Sequence, residues 1–402
     1  MYNYSVFLKY KRIIFLAVLI RLLIMPFFYH PDIKSQLFHM QYLSRGVLNI
    51  YDFVDKNKSN LPYTNIYVYL PFTYYFFGST DFVLSPLYPS DLYQWLNDWG
   101  EAQNNYPNMI FFMLILKIPY LIFDLLSGYI LYKIYKNKKI LYFWFFNPIS
   151  IYLIYILGNF DIIPAFLTLI AFYFIKTNKK FWSYFTIGLA IALKIYPIMF
   201  LPFLFFYDKK NILKNIKYSI FSLIPLIISI LPFIKQKSFY ESFIGSGLTQ
   251  KILEYQINGL PIFPIFFLLI LTIYYFSKSK YKFETAILQI FLIFIGLVNF
   301  HPQWIMWFFP FIIIFFINSK IKNKIFFAIF FALIFAYIIL INDNYLTWGH
   351  LIPIDPNFIN ITSPYQLIKL RTSINPALIQ KNIHNLLLLF GIIGTFYYAK
   401  NK

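Results

Sequence analysis

The chain has 402 residues, of which 60% are hydrophobic and only 12% charged, and its mean hydropathy is +0.62. That composition leaves too little polar surface to clothe a water-soluble core, so lipid must be the solvent. The net charge of +20 sits in short lysine clusters between apolar segments; this is the positive-inside pattern and excludes a nucleic-acid partner, while the lack of cysteine excludes disulfides and thiolate chemistry.

A bilayer core about 30 Å thick takes roughly 20 apolar residues per helix, and segments of that kind recur from Arg12 to Ala399. One integrated membrane domain, residues 1–402, is expected. The first segment, Ile13 to Phe28, carries Arg21 and runs into Tyr29-His30-Pro31 rather than a small-residue cleavage site, so it reads as a retained helix. Basic clusters at Lys9 to Arg12, Lys133 to Lys139, Lys176 to Lys180, Lys209 to Lys217, Lys278 to Lys282, Lys320 to Lys324 and the C-terminus are assigned to the cytoplasm, with both termini. The membrane is then the cell membrane, or that of the endoplasmic reticulum in a eukaryote.

The intervening segments face outward: Pro31 to Asn108, Gly158 to Asp161, Lys235 to Gly259, Asn299 to Gln303 and Asn342 to Asn385. All acids except Asp124, Asp208 and Glu284 fall there. The first outer loop, residues 31–108, begins with a candidate amphipathic helix whose stripe is Ile33, Leu37, Met40, Ser44 and Val47. Its other face carries Lys34, His39, Arg45 and Asn49, so it is expected to lie on the membrane surface. The apolar stretch Tyr67 to Phe77 is too short to span and reads as interfacial or re-entrant.

Further along, Phe181 to Tyr207 lies between two cytoplasmic clusters yet holds only one full crossing. A hairpin of two short helices, Trp182 to Leu193 and Ile198 to Phe206, resolves the parity if it breaks at Lys194-Ile195-Tyr196-Pro197, where proline stops a continuing helix. Non-helical backbone at that depth needs surrounding protein or a wet cavity. The expected fold is therefore an all-α polytopic bundle of about ten full spans plus this hairpin, with a long first outer loop and a late one at residues 342–385.

Several polar groups stand where chemistry is conceivable. Asp32, directly after the first span, would hold a carboxylate at the outer boundary, suited to take a proton from an attacking hydroxyl; it equally suits the N-cap of the surface helix. Lys194, at the hairpin break, wants an anion and would stabilise a phosphate leaving group, or it snorkels to the interface. Tyr196 would add a hydroxyl. Asp161 sits in a short outer turn and also fits an ordinary helix start before Pro164. His301 and Gln303 are placed to touch a headgroup or simply water. Asp124 lies seven residues after Lys117, which suggests a structural pair. No Walker-type glycine loop, HExxH or GxSxG is present.

These residues fall in an order that resembles the C-type fold glycosyltransferases, multi-span enzymes that use polyprenyl-phosphate sugars. The nearest pattern is the catalytic subunit of GPI mannosyltransferase I and its prokaryotic relatives. The matching parts are Asp32-Ile33 before a loop helix running to Gly46 and Tyr51-Asp52, then Tyr67-Val68-Tyr69-Leu70-Pro71 and Phe123-Asp124-Leu125-Leu126. They continue with Phe143-Trp144-Phe145-Phe146-Asn147-Pro148, Gly158-Asn159-Phe160-Asp161, Lys194-Ile195-Tyr196-Pro197, and Pro302-Gln303-Trp304 with Trp307.

The resemblance implies a base at Asp32 and a hexose, mannose by analogy, moved with inversion from a polyprenyl-phosphate donor to a lipid, glycan or protein acceptor on the extracytoplasmic face. No cofactor is required by this reading, though a divalent cation, Mg2+ or Mn2+, is compatible with the eukaryotic pattern, in which a second acid follows two residues later. This chain has Lys34 there, which puts a bridged metal in doubt. Residues Asp81 to Asn108 and Asn342 to Asn385 match nothing in that pattern. The rival reading is a transporter or flippase of a lipid-linked sugar, for which a buried cation in a broken helix is also suited.

Overall fold

A computed structural model describes residues 10–63, 66–100, 105–208, 211–247, 250–278 and 282–400. Lys9, Lys209, Lys210, Lys280 and the terminal Lys402, which belong to the basic clusters, lie outside them, as do residues 101–104 of the first loop. The chain is 75% helical, and among the described residues only one two-stranded antiparallel hairpin interrupts the helices, β1 (Gln256–Ile257) with β2 (Leu260–Pro261). The helices that build the site are α1 (Lys11–Ile24), α2 (Pro31–Ser44), α3 (Pro71–Leu84), α4 (Ile118–Tyr135), α5 (Ile162–Lys176), α6 (Lys180–Leu193), α7 (Lys282–Leu297) and α8 (Pro376–Lys400).

Four helices are long and apolar enough to cross a bilayer: Met109–Tyr135, Ile212–Phe233, Lys322–Ile339 and Pro376–Tyr398. Two bent pairs raise the number to six, and four shorter apolar helices, among them α5 and α6, accompany them. This is a helical membrane protein whose clear spans number fewer than the ten expected, because proline and irregular turns divide many apolar stretches into pieces shorter than a bilayer. The exposed apolar side chains of these helices, such as Ile220, Ile228, Leu268 and Leu389, are what a lipid-facing surface requires.

At the centre stands α7, buried on every side from Phe283 to Leu297, as expected of a helix apolar all round. It crosses α8 closely because two glycines permit it: a Cβ on Gly391 would lie 2.4 Å from the Leu292 carbonyl oxygen, and one on Gly296 2.5 Å from Leu388 Cα. The last helix starts at Pro376, with Asn375 accepting from the Ala377 N–H at 3.0 Å, so helix already begins within the segment 342–385. Proline in the first turn, capped by asparagine, sets that boundary.

The corner between α1 and α2, bent by 85°, decides where Asp32 sits. Two of its carbonyls are met by the Lys117 ammonium, which donates to Met25 at 2.9 Å and Phe28 at 2.5 Å and ties them to the Tyr155 carbonyl at 2.7 Å. The late loop clasps the same corner: the Tyr29 N–H donates to the His350 carbonyl at 2.8 Å. Lys117 is therefore not the partner of Asp124, contrary to the seven-residue spacing. A helix boundary at Lys117, ahead of Pro119, turns its side chain to the corner, and Asp124 pairs with Arg21 at 2.5 Å.

The α2 helix also departs from expectation on its polar face. Lys34 and His39 are buried rather than exposed, because the first loop folds back over them. The Lys34 ammonium lies 4.8 and 4.6 Å from the ring centres of Trp95 and Trp99 and donates to the Asp98 carbonyl. The loop has its own small core, with Phe38, Tyr51, Tyr67 and Tyr74 packed against Phe233 and Phe239. The segment Tyr67 to Phe77 divides into an irregular run bent at Tyr69 and the start of α3, where Thr73 donates to the Leu193 carbonyl at the end of α6.

Candidate active site

The expected break after α6 is present. The helix ends at Leu193, Lys194 is extended (φ −152°, ψ 135°), and the chain resumes as a 3-10 turn at Tyr196–Phe200. This break opens into a cavity of about 640 Å³ lined on different sides by Asp32, Lys194, Tyr196, His301 and Gln303. Residues separated by up to 271 positions in sequence thus line one cavity.

Asp32 is not the cap of its own helix. His30 is the N-cap and its Nδ1 accepts from the Asp32 N–H at 3.3 Å, which leaves the carboxylate free to turn outward. There Oδ2 accepts from Gln303 Nε2 at 2.6 Å and from Asn159 Nδ2 at 3.3 Å, while Asn159 Nδ2 also donates to Gln303 Oε1. The side chain is 35% exposed, and that exposure is toward the cavity it lines. Two amides hold one oxygen, His30 stands 3.7 Å from the other, and the carboxylate faces an open space. A carboxylate so oriented is equipped to accept a proton from a bound hydroxyl.

Asp161 likewise makes no cap hydrogen bond at the start of α5. It pairs with Lys194 at 2.5 Å, so the ammonium expected to stand alone already has a carboxylate. The break is wrapped in aromatic faces, with the Lys194 Nζ 5.0 Å from the centre of Phe160, 5.5 Å from Trp307 and 5.9 Å from Tyr69. Asp161 thereby aims Lys194, which remains 15% exposed and lines the cavity. Tyr196 departs from expectation: its hydroxyl is buried and turned toward Thr168, and it offers a ring instead, stacked on Trp307 at 4.3 Å and 2°.

His301 lies 5.6 Å, ring to ring, from His30. Burial pushes its imidazole down to about 4, against the upward pull of Asp32. The part of an acid limb that His301→Asn removes from the rate–pH profile should accordingly lie toward 4 and not near the ordinary histidine value of about 6.5; a limb near 6.5 abolished by His301→Asn would mean that His301 titrates normally. Among the described residues no group of three or more His, Asp or Glu side chains is arranged to hold a metal. The two acids here are engaged by amides and by an ammonium, and Lys34 faces the loop tryptophans, so Mg2+ or Mn2+ finds no fitting donor set.

Asn159, in the Gly158-Asn159-Phe160-Asp161 turn, is a site residue that the sequence does not single out. So are Lys251, Trp304 and Trp307, which line the same cavity. Polar residues in short turns between apolar helices were the available signal for Asn159; none existed for Lys251.

A helical membrane architecture around a cavity with an oriented carboxylate, a paired lysine and flat aromatic walls fits a membrane glycosyltransferase. Residues 126–228 match the family model described as Glycosyltransferase family 87, a C-type family. The match spans α5, the break and the Asp161–Lys194 pair, and leaves Asp32 and Gln303 outside it. It supports a C-type membrane glycosyltransferase and does not extend to a specific relation with GPI mannosyltransferase I. No solved structure matches the chain.

Proposed function

We propose that the protein transfers a hexose, mannose in the first instance, from a polyprenyl-phosphate carrier to a lipid, glycan or protein acceptor at the extracytoplasmic face of a multi-span membrane domain. The observation that carries this reading is the cavity at the α6 break, which has an amide-held carboxylate on one side and a carboxylate-aimed ammonium on another. In the reaction the acceptor oxygen bonds to the anomeric carbon as the carbon–oxygen bond to phosphate breaks. The acceptor proton passes to Asp32, the bonding pair stays with the phosphate, and configuration at carbon inverts in a single displacement.

Lys194 meets the charge that develops on the departing phosphate oxygen. A flat wall of Tyr196 and Trp307 gives the sugar a surface to lie against, and Gln303 keeps the base in register. The direct experiment supplies radiolabelled polyprenyl-phosphate mannose to membranes carrying the protein. Label in a new acceptor supports transfer; movement of unchanged substrate across the membrane would instead support a carrier. Lys194→Met is expected to lower turnover by about 10²-fold, the scale of losing one charge-stabilising donor, and a paired Asp161→Asn change in the same chain controls for the carboxylate left alone. Full turnover in Lys194→Met would remove it from the mechanism.

A further inference from the structure

The cavity has a second ammonium. Lys251, on the 3-10 turn Gln250–Leu253, lines it too: among the described residues it forms no ion pair, and it lies 5.5 Å from the ring centre of Trp304. Trp304 stacks on Trp307 at 5.0 Å and 20°, and Trp307 stacks on Tyr196. One continuous aromatic wall therefore carries Lys194 beside its Trp307 ring and Lys251 beside its Trp304 ring. Of these two cations, Lys194 is already matched by Asp161 and Lys251 is not.

A lipid-linked sugar phosphate is a diester with one negative charge before reaction. When its bond to the anomeric carbon breaks, the phosphate becomes a monoester and its charge approaches −2, since the second pKa is about 6. The site must neutralise one charge on binding and a second as the bond breaks. Resting on the lipid-phosphate reading above, we propose that Lys251 is the ground-state anchor of the donor phosphate, while Lys194, held in place by Asp161, meets the charge that appears in the transition state.

The setting of Lys251 agrees with a lipid headgroup. Its turn leads directly into the β1–β2 hairpin and then into the apolar helix Ile262–Phe276. Leu253, Tyr255, Ile257 and Leu260, which follow it in sequence, are all exposed. An exposed apolar hairpin at the start of an apolar helix is the kind of surface that sinks into the interfacial zone, leaving a lysine at headgroup depth.

Binding charge equally in ground and transition states changes affinity, whereas charge met only in the transition state changes turnover. The two lysines are therefore separable. With the full chain in nanodiscs of zwitterionic lipid, the probes are polyprenyl methyl phosphate, a diester with the donor's single negative charge, and the uncharged polyprenyl alcohol. The unaltered protein should prefer the phosphate. Lys251→Met should weaken phosphate binding by at least about tenfold, the scale of one charge-assisted contact, with alcohol binding unchanged, and Lys251→Arg should restore most of it. In turnover, Lys251→Met should raise the donor KM and hold kcat, the reverse of Lys194→Met.

No preference for phosphate over alcohol, an unaltered phosphate affinity in Lys251→Met, or an equal loss of both probes would each overturn the assignment. A Lys251-dependent phosphate preference without sugar transfer to any acceptor would keep the anchor and remove the transferase reading.

Discussion

Asp32→Asn is expected to lower sugar transfer by about 10³-fold, within the range for loss of a positioned general base, while the protein folds and inserts as before. The second expectation follows from the geometry. Asn keeps an oxygen that can accept from Gln303 Nε2, the 2.6 Å bond that holds the native carboxylate, and the helix cap is unaffected because His30 supplies it. What is lost is the negative charge that takes the proton. Turnover with labelled donor, measured beside the size-exclusion profile of the same preparation, separates the two effects. Transfer at the native rate would show that Asp32 only shapes the cavity.

The second large effect concerns stability. Arg21 and Asp124 are both fully buried and paired at 2.5 Å. Arg21 also donates to the carbonyls of Phe145 at 2.8 Å and Ala17 at 3.1 Å. Asp124 accepts from Trp144 Nε1 at 2.6 Å and from the Tyr155 hydroxyl at 2.7 Å. Removing one ion of such a pair strands the other in a medium that cannot solvate it, at a cost of about 3–5 kcal/mol. Arg21→Met should therefore melt far below the native protein in detergent. The double change Arg21→Met with Asp124→Asn should recover much of the loss, because no charge is left alone and the amide oxygen still accepts from Trp144 or Tyr155. Equal melting of native and Arg21→Met protein would show that the pair contributes nothing net.

The break at Lys194 was legible because two local signals coincide there, a proline three residues on and a charge pattern that one crossing cannot satisfy. Asp32 was legible by its place beside the first apolar segment. The partners of both were not: Asp161 precedes Lys194 by 33 positions, and Gln303 follows Asp32 by 271. Spacing on one helix even suggested the wrong partner for Asp124, since two turns of separation bring side chains to one face only while the helix is unbroken, and Lys117 ends a helix. The surface helix was misjudged on its polar side for a related reason. A stripe of polar residues predicts exposure only if no other segment covers it, and Trp95 and Trp99 cover Lys34.

Composition, hydropathy and the order of charge along the chain by themselves determined that lipid is the solvent, that the chain is built of apolar helices, and that one of them breaks near Lys194, because each depends on segments adjacent in sequence. Tertiary structure alone decided which charges meet, that Asp32 points into a cavity instead of capping its helix, and that Lys251 stands beside the aromatic wall. In an interior of low dielectric constant a charge is stabilised by whichever opposite group or dipole lies within a few ångströms, and those groups arrive from distant segments.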